Sequence, residues 1–232
     1  MKKMFLLLAA SIVTMAACKK SDSNGNTPEI NAAKVMFVHT VLNASDTVHI
    51  KANDELIAGV SGLTYGTKTN YVNVEPGQVE LSFEFANTGI ELMKTTADLT
   101  DKQHYSVFLT GSPGNTRLSM VSDDLSAPAT GNAKVRFVNL TGTGSSSVMK
   151  LTTYVGNQTI SQDLSMGDVS DFHEVKAGTY DISFADITQA PPFTHEISDE
   201  VLSAGKIYTF VIYGLKDGSG AVAIKTMVIK NN

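Results

Sequence analysis

Apolar and polar side chains alternate along this chain in short runs, and the alternation starts at residue 33. In "AKVMFVH" (residues 33–39), Val35, Phe37 and His39 share one face of an extended strand. Val79, Leu81, Phe83 and Phe85 do the same farther on, as do Tyr105, Val107 and Leu109. The pattern returns with Val135, Phe137 and Asn139, then Tyr180, Ile182 and Phe184, then Tyr208, Phe210 and Ile212. A period of two is that of a strand with one buried face. Strands also fit residues 48–52, 68–74, 117–122, 148–155, 170–175, 197–202 and 221–229, and no window of eleven residues or more carries a helical period. The chain is therefore expected to be all-β.

The runs recur as whole blocks. "AKVMFVH" at 33–39 returns as "AKVRFVN" at 133–139, "VEPGQVELSF" at 74–83 as "VKAGTYDISF" at 175–184, and "LTDKQHYSVFLTG" at 99–111 as "LSAGKIYTFVIYG" at 202–214. The offset grows from 100 to 103, so the chain is a duplication with small loop insertions. A period this long means two whole domains and not a solenoid. The expected boundaries are 33–124 and 133–232, with residues 125–132, which hold Pro128 and Gly131, as a semi-flexible joint. Seven or eight short strands per copy fit a Greek-key antiparallel β-sandwich of immunoglobulin-like type. Pro76-Gly77 and Ala177-Gly178 each separate two runs and predict tight hairpins. Leu99 and Tyr105, like Leu202 and Tyr208, are six apart. That spacing predicts a tyrosine corner in each copy, with the phenol bonded back to the backbone.

With these residues in view, "AKVRFVN", "AGTYDISF" and "LSAGKIYTFVIYG" resemble the domain-of-unknown-function 4397 (DUF4397) family, immunoglobulin-like modules common in bacterial lipoproteins. The resemblance runs from Ala33 onward and is closer in the second copy. It implies a fold and no particular chemistry.

Ahead of the repeat, Lys2-Lys3 precede an apolar run and the small residues Ala16-Ala17, the layout of a secretory signal over residues 1–17. Met15-Ala16-Ala17-Cys18 resembles a bacterial lipobox, which implies cleavage before Cys18 and joining of its thiol to a diacylglycerol. Acyl chains bury about 0.8 kcal/mol per methylene, so such an anchor holds a protein to a membrane without a span. Residues 18–32, "CKKSDSNGNTPEINA", are almost free of apolar side chains and are expected to be a flexible tether. The expected location is the cell envelope, lipid-anchored at the outer membrane on its periplasmic face or at the cell surface.

Composition narrows the chemistry. The formal net charge is −5, which opposes nucleic acid as a partner. With one cysteine there is neither a disulfide framework nor a cysteine metal site. No G-x-S-x-G elbow occurs, and His173-Glu174 and His195-Glu196 lack the second histidine of a helical zinc motif. His39, His49, His104, His173 and His195 are expected as solvated or hydrogen-bonded strand residues, and Asp123-Asp124 and Asp54-Glu55 as solvated turns. No catalytic residue, metal ligand or cofactor is assigned. The expected partners are the membrane, through Cys18, and an unidentified protein or glycan. Trp is absent, and the aromatics not assigned to core positions are Tyr65, Tyr71, Tyr154, Phe172 and Phe193. Phe193, in the proline-stiffened "QAPPFTHE", is the candidate ligand-binding ring. The expected function is a non-enzymatic binding or structural module, with glycan capture or protein-protein adhesion as alternatives.

Overall fold

A computed structural model describes residues 31–42, 47–60, 62–142, 149–188 and 191–232. The signal segment, Cys18 and the tether up to residue 30 lie outside these residues. Residues Asn31–Asn232 form one compact unit.

Nine strands build the first copy: β1 (Ala33–Val41), β2 (Val48–Ala52), β3 (Glu55–Leu56), β4 (Thr67–Lys68), β5 (Val72–Val74), β6 (Gly77–Phe85), β7 (Glu91–Leu99), β8 (His104–Ser112) and β9 (Asn115–Ser122). Eight build the second: β10 (Asn132–Gly142), β11 (Leu151–Val155), β12 (Gln158–Leu164), β13 (His173–Lys176), β14 (Gly178–Asp186), β15 (Phe193–Leu202), β16 (Ile207–Leu215) and β17 (Lys225–Lys230). Each copy is a two-sheet sandwich. In the first, an inner sheet ordered β4-β1-β8-β9, with β5 also on β1, faces an outer sheet ordered β3-β2-β6-β7. In the second, the inner sheet is β13-β10-β16-β17 and the outer sheet β12-β11-β14-β15. Ladders are antiparallel except at the centre of each inner sheet, where β1 runs parallel to β8 and β10 parallel to β16.

Alternation decides which core each side chain enters. Val35 and Phe37 of β1 pack with Leu81, Phe83 and Val107 in the first core, while Phe137, Phe184 and Phe210 dominate the second. Met36 and Val38 point the other way and join Phe108, Val138, Leu140, Val211 and Tyr213 in a third core. That third core lies between the inner sheets. The two sandwiches are thus packed back to back, and the central inner strands are buried on both faces. This explains why β1, β8, β10 and β16 are buried at odd and even positions alike. The semi-flexible joint expected at 125–132 is corrected by this finding: the linker connects two sandwiches that share a core.

Four other details differ from the pattern reading. Pro76-Gly77 and Ala177-Gly178 are not hairpins, because β5 and β13 belong to inner sheets whereas β6 and β14 belong to outer ones. The turns carry the chain across the sandwich; Gly77 takes a positive φ of 112° there. The run at 68–74 splits into β4 and β5, and residues Gly220–Val222 form a 3-10 turn ahead of β17. β7 and β12 escape the pattern because they are edge strands with mostly exposed or half-exposed side chains.

The tyrosine corners are present in both copies. The Thr100 N–H donates to the Tyr105 hydroxyl at 3.1 Å, and the Ser203 N–H to the Tyr208 hydroxyl at 3.0 Å. The loops entering β8 and β16 are fixed this way just before the strands that pair with β1 and β10. Gly111 and Gly214, equivalent positions at the far ends of these strands, have φ of 97° and 108°. A Cβ at either would collide with the carbonyl oxygen of Asn115 or Ala223, so both hairpin exits need glycine. Tyr105→Phe and Tyr208→Phe are each expected to cost about 1 kcal/mol by leaving a loop N–H without its acceptor; urea unfolding with an unchanged m-value measures it.

Candidate binding cleft at the seam of the two sandwiches

Where the inner sheets meet, a cleft of about 750 Å³ opens between Gln103, His104 and residues 121–126 on one side and residues 169–172 on the other, with Arg136 at its floor. Arg136 stands on β10 at the position that Met36 occupies on β1. Its side chain is buried, and Nη1 lies 2.6 Å from Oδ1 of Asp123, whose side chain is wholly buried. Two more donors are used: Nε donates to Thr209 Oγ1 at 2.9 Å and Nη2 to Ser106 Oγ at 2.8 Å.

These contacts close into a ring that passes repeatedly between the copies. Ser106 Oγ and Tyr71 Oη donate to Asp123 Oδ2 at 2.8 and 2.6 Å. Asn231 Nδ2 donates to Tyr71 Oη at 3.0 Å, and Thr209 Oγ1 donates to Asn231 Oδ1 at 2.8 Å. Tyr71, Ser106 and Asp123 come from the first copy; Arg136, Thr209 and Asn231 come from the second. The guanidinium also lies over the Phe172 ring, 4.5 Å from its centroid, and 5.8 Å from that of Phe108. Such charge-to-ring contacts are strongest where water is excluded.

Burial, together with the Asp123 carboxylate and its hydrogen bond, drives the Tyr71 hydroxyl far above its ordinary pKa. Tyr71 therefore stays protonated and remains a donor. Elsewhere against the third core, burial and the neighbouring Tyr213 push Tyr65 up to about 12. Asp124, at the rim, is held well below the usual carboxylate range, chiefly by the Lys134 ammonium at 2.8 Å and by Ser126. Glu174 is lowered by hydrogen bonds from the Asn132 side chain and the Ala129 N–H.

The expected solvated turn at Asp123-Asp124 is therefore half corrected. Successive side chains of an extended segment point to opposite sides. Asp123 turns inward to the guanidinium while Asp124 turns outward to Lys134. Asp54 does lie exposed at a turn, 3.8 Å from Lys94.

Of the unassigned aromatics, Tyr65 and Tyr71 pack against the third core and Phe172 covers Arg136. Tyr154 is half-buried on the outer sheet of the second copy. Phe193 opens β15 opposite Asp186, half-buried against the second core. The histidines are dispersed: His39 is buried in β1, His49 lies 4.0 Å from Glu84, and His104 meets the Tyr71 ring edge-on at 5.0 Å. His173 is exposed on β13. His195, whose pKa burial lowers, lies 3.0 Å from Thr226 Oγ1. Among the described residues, no three His, Cys, Asp or Glu side chains converge as metal ligands.

The residue that organises the seam, Arg136, is missing from the candidates read from sequence. Its signal was available, as a cation standing where the first copy carries Met36, followed at the next even position by a valine in both copies, Val38 and Val138. Chemically, the floor of the cleft is a neutral, internally bonded pair, so its guanidinium is committed to protein acceptors. The rim presents His104, Asp171 and the Phe172 ring.

The architecture is that of a tandem immunoglobulin-like β-sandwich protein. Residues 33–148 and 142–232 both match the family described as "Domain of unknown function (DUF4397)", and the chain belongs to that family. Among solved structures, a Bacteroides uniformis protein described as a "putative cell adhesion protein" is similar at 11% identity over 87% of this chain and 99% of its own, with a TM-score of 0.27. A family 26 carbohydrate-binding module of Eubacterium rectale Amy13K, in complex with maltoheptaose, is similar at 11% identity over 85% and 96%, with a TM-score of 0.26. A Bacteroides fragilis protein of the same description as the first follows at 10% identity over 87% and 98%, with a TM-score of 0.22. No curated protein is significantly similar to the chain.

The geometry makes the two neighbouring aspartates unequal. Asp123→Ala strands the Arg136 cation in the seam and is expected to cost about 3–5 kcal/mol, whereas Asp124→Ala is expected to cost under about 1 kcal/mol. Chemical denaturation of the two variants side by side measures the difference.

Proposed function

We propose that this protein is a lipid-anchored module of the cell envelope that works by binding or by structural support and performs no catalysis. The observation that carries the reading is the use made of the strongest polar groups in the cleft. Arg136, Asp123, Tyr71 and Thr209 spend their donors and acceptors on joining two sandwiches, which is the chemistry of a rigid double scaffold. Covalent attachment through Cys18 would leave that scaffold at the end of a polar leash, suited to reaching a partner near the membrane. Cys18→Ala is expected to move the protein from the membrane fraction to the soluble fraction of the cells that make it; unchanged membrane retention would count against the anchor.

Contact with another protein through a sheet edge is the form of binding that a specific observation favours. β15 is ten residues long and pairs on one side only, with β14. Its Val201 is 62% exposed. An edge strand of this kind can take an added strand from a partner. Glycan capture would instead use Phe193 at the head of the same strand. A glycan array separates the two: retention that is lost in Phe193→Ala supports capture, and a blank array leaves the edge reading.

A further inference from the structure

The seam between the sandwiches is built from equivalent surfaces. Met36 and Arg136 correspond, as do Ser106 and Thr209 within the repeated blocks. Hydrogen bonds extend the correspondence beyond the blocks. The Asp123 N–H donates to His104 O and the Asn231 N–H to Ile207 O, so Asp123 and Asn231 are equivalent. The Thr69 N–H donates to Phe37 O and the Ser170 N–H to Phe137 O, which makes Tyr71 and Phe172 equivalent two residues later. The ring around Arg136 thus contains both members of the Ser106/Thr209 and Asp123/Asn231 sets, with Tyr71 in the ring and Phe172 stacked on the guanidinium. Equivalent residues also meet at the edge of the seam, where Leu42 Cδ1 lies 3.5 Å from the position of a Cβ on Gly142.

Surfaces related in this way are what two identical subunits share across a two-fold axis, where each partner gives the same patch. Such a patch fits a second copy of itself as readily as its neighbour in the chain, unless something tells them apart. The equivalent positions differ in charge at two places only within the ring: Met36 against Arg136, and Asn231 against Asp123. If two first sandwiches paired, each Asp123 would be buried opposite a methionine. If two second sandwiches paired, each Arg136 would be buried opposite an amide. Only the unlike pairing neutralises both ions, and an unpaired buried ion is strongly unfavourable.

We propose that Arg136 and Asp123 are the specificity residues of this seam: they make the first sandwich accept the second and refuse a second copy of itself. The apolar third core supplies the attraction, and the ion pair supplies the choice, by penalising the wrong partner more than by rewarding the right one.

The test uses the whole chain with Cys18→Ala and a single reporter thiol, Leu42→Cys, which would face its own counterpart if two first sandwiches paired. The chain is refolded from urea at about 100 µM under mild oxidation, and covalent dimer is read on a non-reducing gel. Asp123→Asn/Arg136→Met gives each copy the uncharged residues of the other, and Met36→Arg/Asn231→Asp gives each copy both charges. Either double variant removes the penalty on like pairing, so covalent dimer is expected to rise at least about fivefold over the parent. Asp123→Asn alone is expected to lower Tm by about 10 °C and the uncharged double variant to regain most of that fall, which verifies that the double variant folds. Equal dimer yields in the parent and in both double variants would overturn the proposal. So would a parent chain that self-pairs as freely as the double variants.

Discussion

Burial of both faces of the two inner sheets is the constraint on which the rest of this protein depends. A lone sandwich needs one hydrophobic face per sheet, and its outer surfaces can be polar. Here β1, β8, β10 and β16 need apolar side chains at odd and even positions alike. Each sandwich by itself would expose Met36, Val38 and Phe108, or Val138, Leu140 and Val211, to water. Contiguous apolar patches of this kind mark surfaces meant to be covered. The duplication supplies the cover, and the outer sheets carry the polar face that the inner ones lack. On the first outer sheet that face is laced by pairs such as Lys51–Glu84 and Lys94–Glu80, both at 2.7 Å.

Into this dry seam the chain places one full ion pair, and the placement is viable because every neighbour helps it. Desolvating a guanidinium and a carboxylate costs several kcal/mol per ion, and attraction alone often fails to offset it. Ser106, Tyr71 and Thr209 supply the additional hydrogen bonds, and Phe172 supplies a polarisable face. The pair therefore gives the seam geometry more than it gives stability. The same commitments shape the cleft above it, whose floor is electrically quiet while its rim keeps polar and aromatic groups in reach of solvent.

Much of the fold was legible in the sequence, because strands with one buried face announce themselves by their period and a duplication doubles every signal. The tyrosine corners could be read from a spacing of six repeated in two contexts, and the hydrogen bonds of Tyr105 and Tyr208 are where that spacing puts them. What escaped reading has physical causes. Edge strands β7 and β12 bury too little to show a pattern. A glycine turn looks the same whether it closes a hairpin, as at Gly114, or carries the chain across a sandwich, as at Gly77. The site was hidden for a different reason. Asp123, Arg136 and Asn231 stand in three separate segments of the chain, Asp123 and Asn231 look like ordinary surface residues, and only the packing of one copy on the other brings the three together. Phe193 drew notice because prolines precede it, yet its ring lies along the edge of the second core.

The parallel pairing of β1 with β8 has a kinetic meaning. Antiparallel neighbours can zip from a short turn, but β1 must wait for partners about seventy residues downstream before its central ladder can form, and β10 must wait as long for β16. Contacts so distant in sequence put the largest loop closures first in the entropy of folding. Until they close, β1 presents apolar side chains on two faces and, on the side that β8 will take, an unpaired backbone edge. A chain emerging progressively from the ribosome carries that sticky segment ahead of the partner that hides it, so this scaffold is most vulnerable to misassociation during its own synthesis.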